Sequence, residues 1–96
     1  MAFQLPLPTK LRKQGWKVKI ADKERLEPPH VTITWKTRRW RWSLRDGVFL
    51  DKWPDPAEVP REVLAKVRSN RQRLIVEWDL IYPLNPVKGK DNGDDD

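Results

Sequence analysis

The chain has 96 residues, with 20 Lys and Arg against 14 Asp and Glu and a formal net charge of +6. This length suits one small domain, which buries roughly 60 to 65% of its unfolded surface, so a large internal active-site cavity is not expected. The absence of cysteine excludes disulfides, zinc ribbons and thiol nucleophiles. The single histidine, His30, has no cluster of carboxylates beside it, and we therefore predict neither a metal site nor a cofactor.

The positive charge is concentrated away from the C-terminal end. Four of the acids, Asp91, Asp94, Asp95 and Asp96, lie in "GKDNGDDD", so residues 1–90 carry 20 basic and 10 acidic side chains. Such a body attracts polyanions and acidic proteins, although the same charge also serves solubility alone. With no signal-peptide pattern and no run of ~20 apolar residues, we expect a soluble cytoplasmic protein with no membrane contact.

The distribution of prolines, charged residues and apolar residues along the chain predicts three regions. Residues 1–14 are spaced by prolines and rich in basic side chains, which is typical of a flexible basic arm. The segment "PTKLRK" within them either contacts the phosphates of a nucleic acid, as basic arms of DNA-binding domains do, or is ordinary terminal disorder. Residues 15–82 form a single α+β domain, and residues 83–96 form a flexible acidic tail.

Three segments alternate apolar and polar residues, as strands with one buried face do. They are "WKVKI" from Trp16, "HVTITWK" from His30 and "RWRWSLRDG" from Arg39. Asp46-Gly47 is a strong hairpin signal, and a short fourth strand, "VFLDKW", is predicted after it. The apolar residues of one parity are Trp16, Val18, Ile20, Val31, Ile33, Trp35, Trp40, Trp42 and Leu44.

The stretch "KTRRWRWSLRDG" permits two interpretations of its tryptophans. Trp40 and Trp42 beside arginines suggest a base-stacking platform. They also alternate in step with Leu44, and with Val31 and Ile33 of the preceding strand, which favours a place in the core. The opposite sheet face then displays Lys17, Lys19, Thr32, Thr34, Lys36, Arg39, Arg41, Ser43 and Arg45.

The C-terminal third predicts one helix of about six turns, from Pro60 to the residue before Pro83. Its apolar stripe comprises Val63, Leu64, Val67, Leu74, Ile75, Trp78, Ile81 and Tyr82. The predicted fold is therefore α+β, a three- to four-stranded antiparallel sheet with one long C-terminal helix packed on one face. Arg71 falls inside the apolar stripe, where it either extends past the sheet edge or finds a partner, lining a shallow anion site in the sharper hypothesis.

The basic sheet face is the main functional indication, because phosphate contacts use Lys and Arg supplemented by hydroxyl groups. The chain is predicted to bind the backbone of RNA or DNA. Alternatively, the face binds no ligand, and its charges are solvated and prevent edge-to-edge aggregation. A second hypothesis is a protein-interaction component that docks a small acidic protein. Oligomeric state stays open. The predicted nucleic-acid-binding residues are Lys17, Lys19, Lys36, Arg39, Arg41, Arg45 and Arg71.

His30 is the candidate for catalysis. An imidazole near neutrality, with Glu24, Glu27 and Asp46 and the arginines of the third strand, is a set suited to a ribonuclease-type toxin. The alternative is a histidine that simply begins a strand, and the balance of the sequence is against an enzyme.

Several motifs resemble a small bacterial family called domain of unknown function 4160. "EPPHVTI", an arginine-rich strand, a "DG" hairpin and "VPREVLAKVRSNRQRLIVEWDLI" carry the resemblance over about residues 15–82, with Leu74 four residues before Trp78. The family usually has a second histidine where this chain has Thr32, and its helix is about one turn longer between the positions of Val67 and Asn70. The resemblance implies a member of a toxin-antitoxin-like gene pair, with a protein partner or RNA as its target.

Overall fold

A computed structural model of the chain describes residues 2–23 and 26–88. Four strands form one antiparallel sheet in the order β1-β2-β3-β4, each strand pairing with the next one along the chain. The α+β class and the antiparallel sheet predicted from the alternation are confirmed. In chain order the elements are β1 (Phe3–Leu5), α1 (Thr9–Lys13), β2 (Lys17–Ile20), β3 (His30–Trp35), β4 (Arg38–Ser43), a 3-10 turn (Pro56–Glu58), α2 (Arg61–Ser69) and α3 (Arg71–Ile81).

One face of the sheet is the wall of the hydrophobic core, as the parity predicted. Ile33 of β3 stands between Val18 of β2 and Trp40 of β4, and the next apolar pair is Val31 with Trp42. All five of these side chains are at most 1% exposed. Trp40 and Trp42 therefore belong to the core, and they are not a stacking platform.

The N-terminal residues differ from the predicted flexible arm. In the described part of that segment, β1 pairs with β2, placing Leu5 opposite Val18. The helix α1 follows, and Leu5, Leu7 and Leu11 are 2 to 6% exposed. Burial of three leucines offsets the entropy that a free arm would keep. Residues 2–14 thus complete the sheet and its core.

The predicted strand after the hairpin is reduced to a short edge contact. Gly47, at φ 70°, makes the turn, and Phe49 forms an isolated bridge with Trp42. Backbone hydrogen bonds from Ser43 N to Val48 O (2.7 Å) and from Leu50 N to Arg41 O (2.8 Å) flank that bridge. The fourth strand of the sheet is therefore β1, at the opposite edge.

The predicted single C-terminal helix is divided at Asn70, which lies between α2 and α3 with φ −109° and ψ 15°. Its side-chain amide donates to the Lys66 carbonyl at 2.8 Å, and Asn side chains compete in this way with helical backbone bonds. The apolar phase is nevertheless kept, since the four residues 0% exposed on the two helices are Val63, Val67, Leu74 and Trp78. In the part of the chain that the structure describes, neither these helices nor α1 is long and apolar enough to cross a membrane.

Residues 83–88 also differ from the predicted flexible tail, because they are bound to the domain. Trp78 Nε1 donates to the Asn85 carbonyl at 2.7 Å, and the Asn85 amide donates to the Glu27 carbonyl at 2.8 Å. Val87 is 6% exposed, and its amide donates to Asp79 Oδ1 at 2.9 Å. The remainder of the predicted tail, residues 89–96, lies outside the described residues.

Candidate nucleic-acid interface

The second face of the sheet, called here the outer face, carries the polar parity of the strands. Its register sets two rows of side chains across the sheet. In one row Lys17, Thr34 and Arg39 are neighbours, and in the other Lys19, Thr32 and Arg41. Adjacent strands lie ~4.8 Å apart, so the backbones of the first and third members of a row are roughly 10 Å apart.

Three cations on the outer face are available to a ligand. Lys17 and Arg39 are exposed and Lys19 is half-buried. None of the three makes an ion pair or a side-chain hydrogen bond with a described residue. Thr34 lies half-buried between Lys17 and Arg39, with its hydroxyl on the same face. The predicted basic surface is therefore present in this row and in Lys19, whereas Thr32 and Ser43, predicted to be displayed on the same face, are buried at 5% and 1% exposure.

Arg41 lies on the outer face as predicted, but it is occupied by two carboxylates. Its Nε and Nη2 donate to Asp51 at 2.9 and 2.7 Å, and its Nη1 donates to Glu27 at 3.0 Å. The hydrogen bonds from Arg41 lower the pKa of Asp51 below its usual 3.8, and the bonds to Asp51 raise the pKa of Arg41 further. Because two acids compensate this one cation, Arg41 contributes little positive potential to the interface.

Arg45 and Arg71 bind backbone carbonyl groups and do not face a ligand. Arg45 Nε donates to the Val87 carbonyl at 2.6 Å, and its Nη2 donates to Pro86 at 2.9 Å. Arg71 donates from Nε and Nη2 to the Leu44 carbonyl (3.1 and 2.8 Å), and from Nη2 to that of Arg45 (2.7 Å). These contacts connect α3 and the C-terminal segment to the end of β4. The hypothesis that Arg71 lines an anion site is corrected, since its partners are carbonyl groups.

Lys36 is also placed differently from the prediction. It lies in the turn between β3 and β4 at φ 55°, and its ammonium group is 4.4 Å from the centre of the Trp35 ring. That ring stacks on Trp16 at 5.3 Å, on the core side of the sheet. The Lys36 ammonium group therefore lies at the tip of the β3–β4 hairpin, on the core side of the sheet and away from the outer face.

His30 is 0% exposed, so a substrate cannot reach it in this structure. Its Nδ1 donates to the Pro28 carbonyl at 2.8 Å, and its ring lies 5.6 Å from that of Trp78. Glu27 Oε1 is 3.8 Å from Nε2, whereas Asp46 hydrogen bonds with Ser43. Glu24 lies outside the described residues. The arrangement joins the start of β3 to α3, and the catalytic set expected around His30 is not assembled for contact with RNA.

The sequence prediction missed one aromatic residue beside the interface. Trp53 is 77% exposed and lies in residues 51–55, called here the edge loop, which follows the outer edge of β4. The sequence places Trp53 at the end of the predicted strand "VFLDKW", and the prolines of the following "PDP" were the available signal that this segment is a loop. The other large apolar residues that are at least 48% exposed are Leu26, Val48, Val76, Leu80 and Leu84.

Within the described ranges, His, Asp and Glu side chains form no group of three or more able to hold a metal ion. The donors that remain near the outer face are cations and hydroxyl groups, which suit an anionic ligand. A groove between the loop after β2 and the end of α3 is lined by a mixed set of apolar and charged residues, Asp22, Lys23, Leu26, Glu27, Pro28, Arg45 and residues 81–85.

Comparison of the chain with models of protein families, with curated proteins and with solved structures finds no match. The resemblance to domain of unknown function 4160 stays a prediction.

Proposed function

We propose that this chain binds nucleic acid through the outer face, with Lys17, Lys19 and Arg39 contacting backbone phosphates. The observation that carries the proposal is the row in which exposed Lys17 and Arg39 flank Thr34, with no counter-ion among the described residues. Two basic side chains whose backbones are roughly 10 Å apart, with a hydroxyl between them, match the donors that phosphate contacts use.

The burial and pairing of the other basic residues narrow this interface. Arg41 is neutralised by Asp51 and Glu27, and Arg45 and Arg71 donate to carbonyl groups of the chain itself. An interface of three phosphate contacts predicts that log affinity falls with log salt by a slope of about 2 to 3. Between about 50 and 200 mM salt the affinity then falls roughly 15- to 60-fold.

The test is a titration of fluorescently labelled RNA and DNA oligonucleotides at two salt concentrations. The variant Lys17→Gln/Lys19→Gln/Arg39→Gln is expected to bind at least ~10-fold more weakly at low salt and to lose most of the slope. The matched control is Arg61→Gln/Lys66→Gln/Arg68→Gln, which removes the same charge from exposed positions of α2. Equal losses in both variants would show general charge attraction without an interface, and absence of binding by the unaltered chain at low salt would reject the proposal.

A second candidate function is a protein-interaction component of a two-gene pair. It is favoured by Val76 and Leu80, which are 48% and 71% exposed at four-residue spacing on α3. Apolar side chains spaced in this way on one helix face suit docking of a protein. In co-purification with the product of the neighbouring gene, Val76→Ser/Leu80→Ser is expected to abolish the complex, whereas the outer-face triple variant is expected to keep it.

A further inference from the structure

We propose that Trp53 stacks on a nucleic-acid base and makes the ligand of this surface single-stranded. The inference rests on the proposed function and adds to it the class of nucleic acid. Phosphate contacts alone do not distinguish single strands from duplexes. An exposed indole does, because it needs a base whose flat face is not already covered by its neighbours in a duplex.

Trp53 differs from every other tryptophan of the chain in its surroundings. Trp16, Trp40, Trp42 and Trp78 are at most 6% exposed, and Trp35 is half-buried against Trp16. Trp53 is 77% exposed, and its ring makes no stacking, cation or hydrogen-bond contact with a described residue. Leaving so large an apolar ring in water forgoes the free energy of burying it, which the ring recovers when a ligand covers it.

The edge loop is held to β4 on both sides of Trp53. Asp51 is bound by Arg41 through two hydrogen bonds. The Asp55 carbonyl accepts from Trp40 Nε1 at 3.1 Å, and its carboxylate accepts from the Ala57 amide at 3.0 Å. Trp53 is two residues from either anchor, no more than about 7 Å of chain. An aromatic side chain fixed in this way loses little further backbone entropy on binding.

The path of the edge loop brings Trp53 close to the cations of the outer face. Its first residue, Asp51, is bound by Arg41 of the outer face. The loop then passes the edge of β4, and its last residue, Asp55, is bound by Trp40 of the core face. Further along, Glu58 is bound by Arg38, so the chain from residue 51 to residue 58 runs beside β4 from Arg41 back to Arg38. Arg39 lies between these contacts, and Lys52 next to Trp53 is exposed. A strand with phosphates at Arg39 and Lys17 thus has a base within reach of Trp53.

The charge around Trp53 favours nucleic acid over an apolar protein segment as its occupant. Lys52 and Arg39 are exposed cations that make no ion pair or side-chain hydrogen bond with a described residue, and Asp51 is neutralised by Arg41. Tryptophan beside Lys and Arg is the combination that single-strand binding surfaces use, because the indole stacks on the base while the cations hold the backbone. Every base has such a face, so little sequence preference is expected.

The experiment compares a labelled single-stranded oligonucleotide with the duplex of the same sequence, using the complete chain and three variants. Trp53→Ala is expected to weaken single-strand binding about 5- to 100-fold, the effect of losing one stacked base, and to leave duplex affinity within about twofold. Trp53→Phe keeps an aromatic face and is expected to restore most of the loss. The salt slope is expected to stay unchanged in both, since no phosphate contact is removed. Leu84→Ala, which trims an exposed apolar residue of the C-terminal segment, is the control and leaves both affinities unchanged.

The outcomes separate this inference from the proposed function. Single-strand affinity that depends on Lys17, Lys19 and Arg39 but not on Trp53 overturns the stacking role and keeps the phosphate interface. Equal weakening of single-strand and duplex binding by Trp53→Ala also overturns it, because stacking on a base of a duplex is not expected. Absence of any binding by the unaltered chain overturns both.

Discussion

Arg41 holds Asp51 through two hydrogen bonds of 2.9 and 2.7 Å, joining the middle of β4 to the loop that carries Trp53. The sequence predicts that Arg41 contacts nucleic acid on the outer face of the sheet. The structure assigns Arg41 to the internal support of the edge loop. It acts on a ligand only through the position of that loop.

Asp51→Asn is expected to destabilise the protein by about 1 kcal/mol near neutral pH, a modest value because both side chains are partly in water. Its pKa is lowered in the folded state from 3.8, so the stabilisation is fully present above that value and is lost as the pH falls below it. The difference in unfolding free energy between wild type and variant, measured in urea, is therefore expected to shrink from pH 6 to below about pH 3. Glu62→Gln, whose carboxylate contacts Lys10 at 3.4 Å on an exposed surface, is the control, with an effect of less than about 0.5 kcal/mol at either pH. A constant penalty for Asp51→Asn at all pH values would contradict the ion pair.

Arg71→Lys is expected to lower stability by about 1 to 3 kcal/mol, even though it keeps the charge. The guanidinium donates three hydrogen bonds to the carbonyl groups of Leu44 and Arg45, and a lysine lacks the fork that reaches both. The destabilisation arises mainly at the part-buried Leu44 carbonyl, which loses donors in the variant. Thermal or urea unfolding measures it, with Arg68→Lys on the exposed side of α2 as a control within about 0.5 kcal/mol of wild type. An unchanged salt slope of nucleic-acid binding would accompany the loss, whereas a flatter slope would point to a phosphate contact at Arg71.

Trp42→Ala is expected to cost roughly 3 to 5 kcal/mol, the range for truncating a buried aromatic residue. Trp42 is 1% exposed, opposite Val31, and the Arg71 guanidinium lies 5.9 Å from its ring. Trp53→Ala removes the same ring from an exposed position, and there we expect less than about 0.5 kcal/mol. Equilibrium unfolding of the two variants side by side tests this contrast, and similar losses in both would be inconsistent with the burial.

The faces of the sheet could be predicted from the sequence because strand alternation is local. Val18, Ile33 and Trp40 share one parity within their own segments, and pleating then places them on one side whatever the pairing. The same argument located Lys17 and Arg39 on the outer face. Helical periodicity likewise identified Val67 and Leu74, but phase alone could not show the break at Asn70, because an apolar stripe continues across two helices that keep the same phase.

The partners of the arginines could not be predicted, because they depend on the paths by which later loops pass back beside β4. Asp51 is ten residues from Arg41 in the chain, and it becomes a partner through the path of the edge loop. Arg45 finds its acceptors at residues 86 and 87, more than forty residues away. Prolines among the first 14 residues suggested disorder, yet Leu5, Leu7 and Leu11 fill the core beside β2. The alternation thus predicted which face of the sheet Arg41 lies on, but it could not predict the partners of Arg41 or Arg45.

Residues 83–88 are expected to contribute several kcal/mol to folding, and two shortened chains measure that contribution. A chain ending at residue 82 removes the acceptor of Trp78 Nε1 (Asn85 carbonyl, 2.7 Å) and both acceptors of Arg45. The Trp78 indole, which is buried, then lacks its acceptor at a cost of about 1 to 3 kcal/mol. The exposed Arg45 exchanges its carbonyl acceptors for water, and Val87 leaves a buried position. A chain ending at residue 88 keeps all of these contacts, so the difference in unfolding free energy between the two chains isolates the segment. Val87→Ala in the longer chain is expected to give a smaller part of that difference, about 1 kcal/mol, because it removes apolar contact and keeps the backbone hydrogen bonds. Equal stability of the two shortened chains would mean that the segment is not bound in solution.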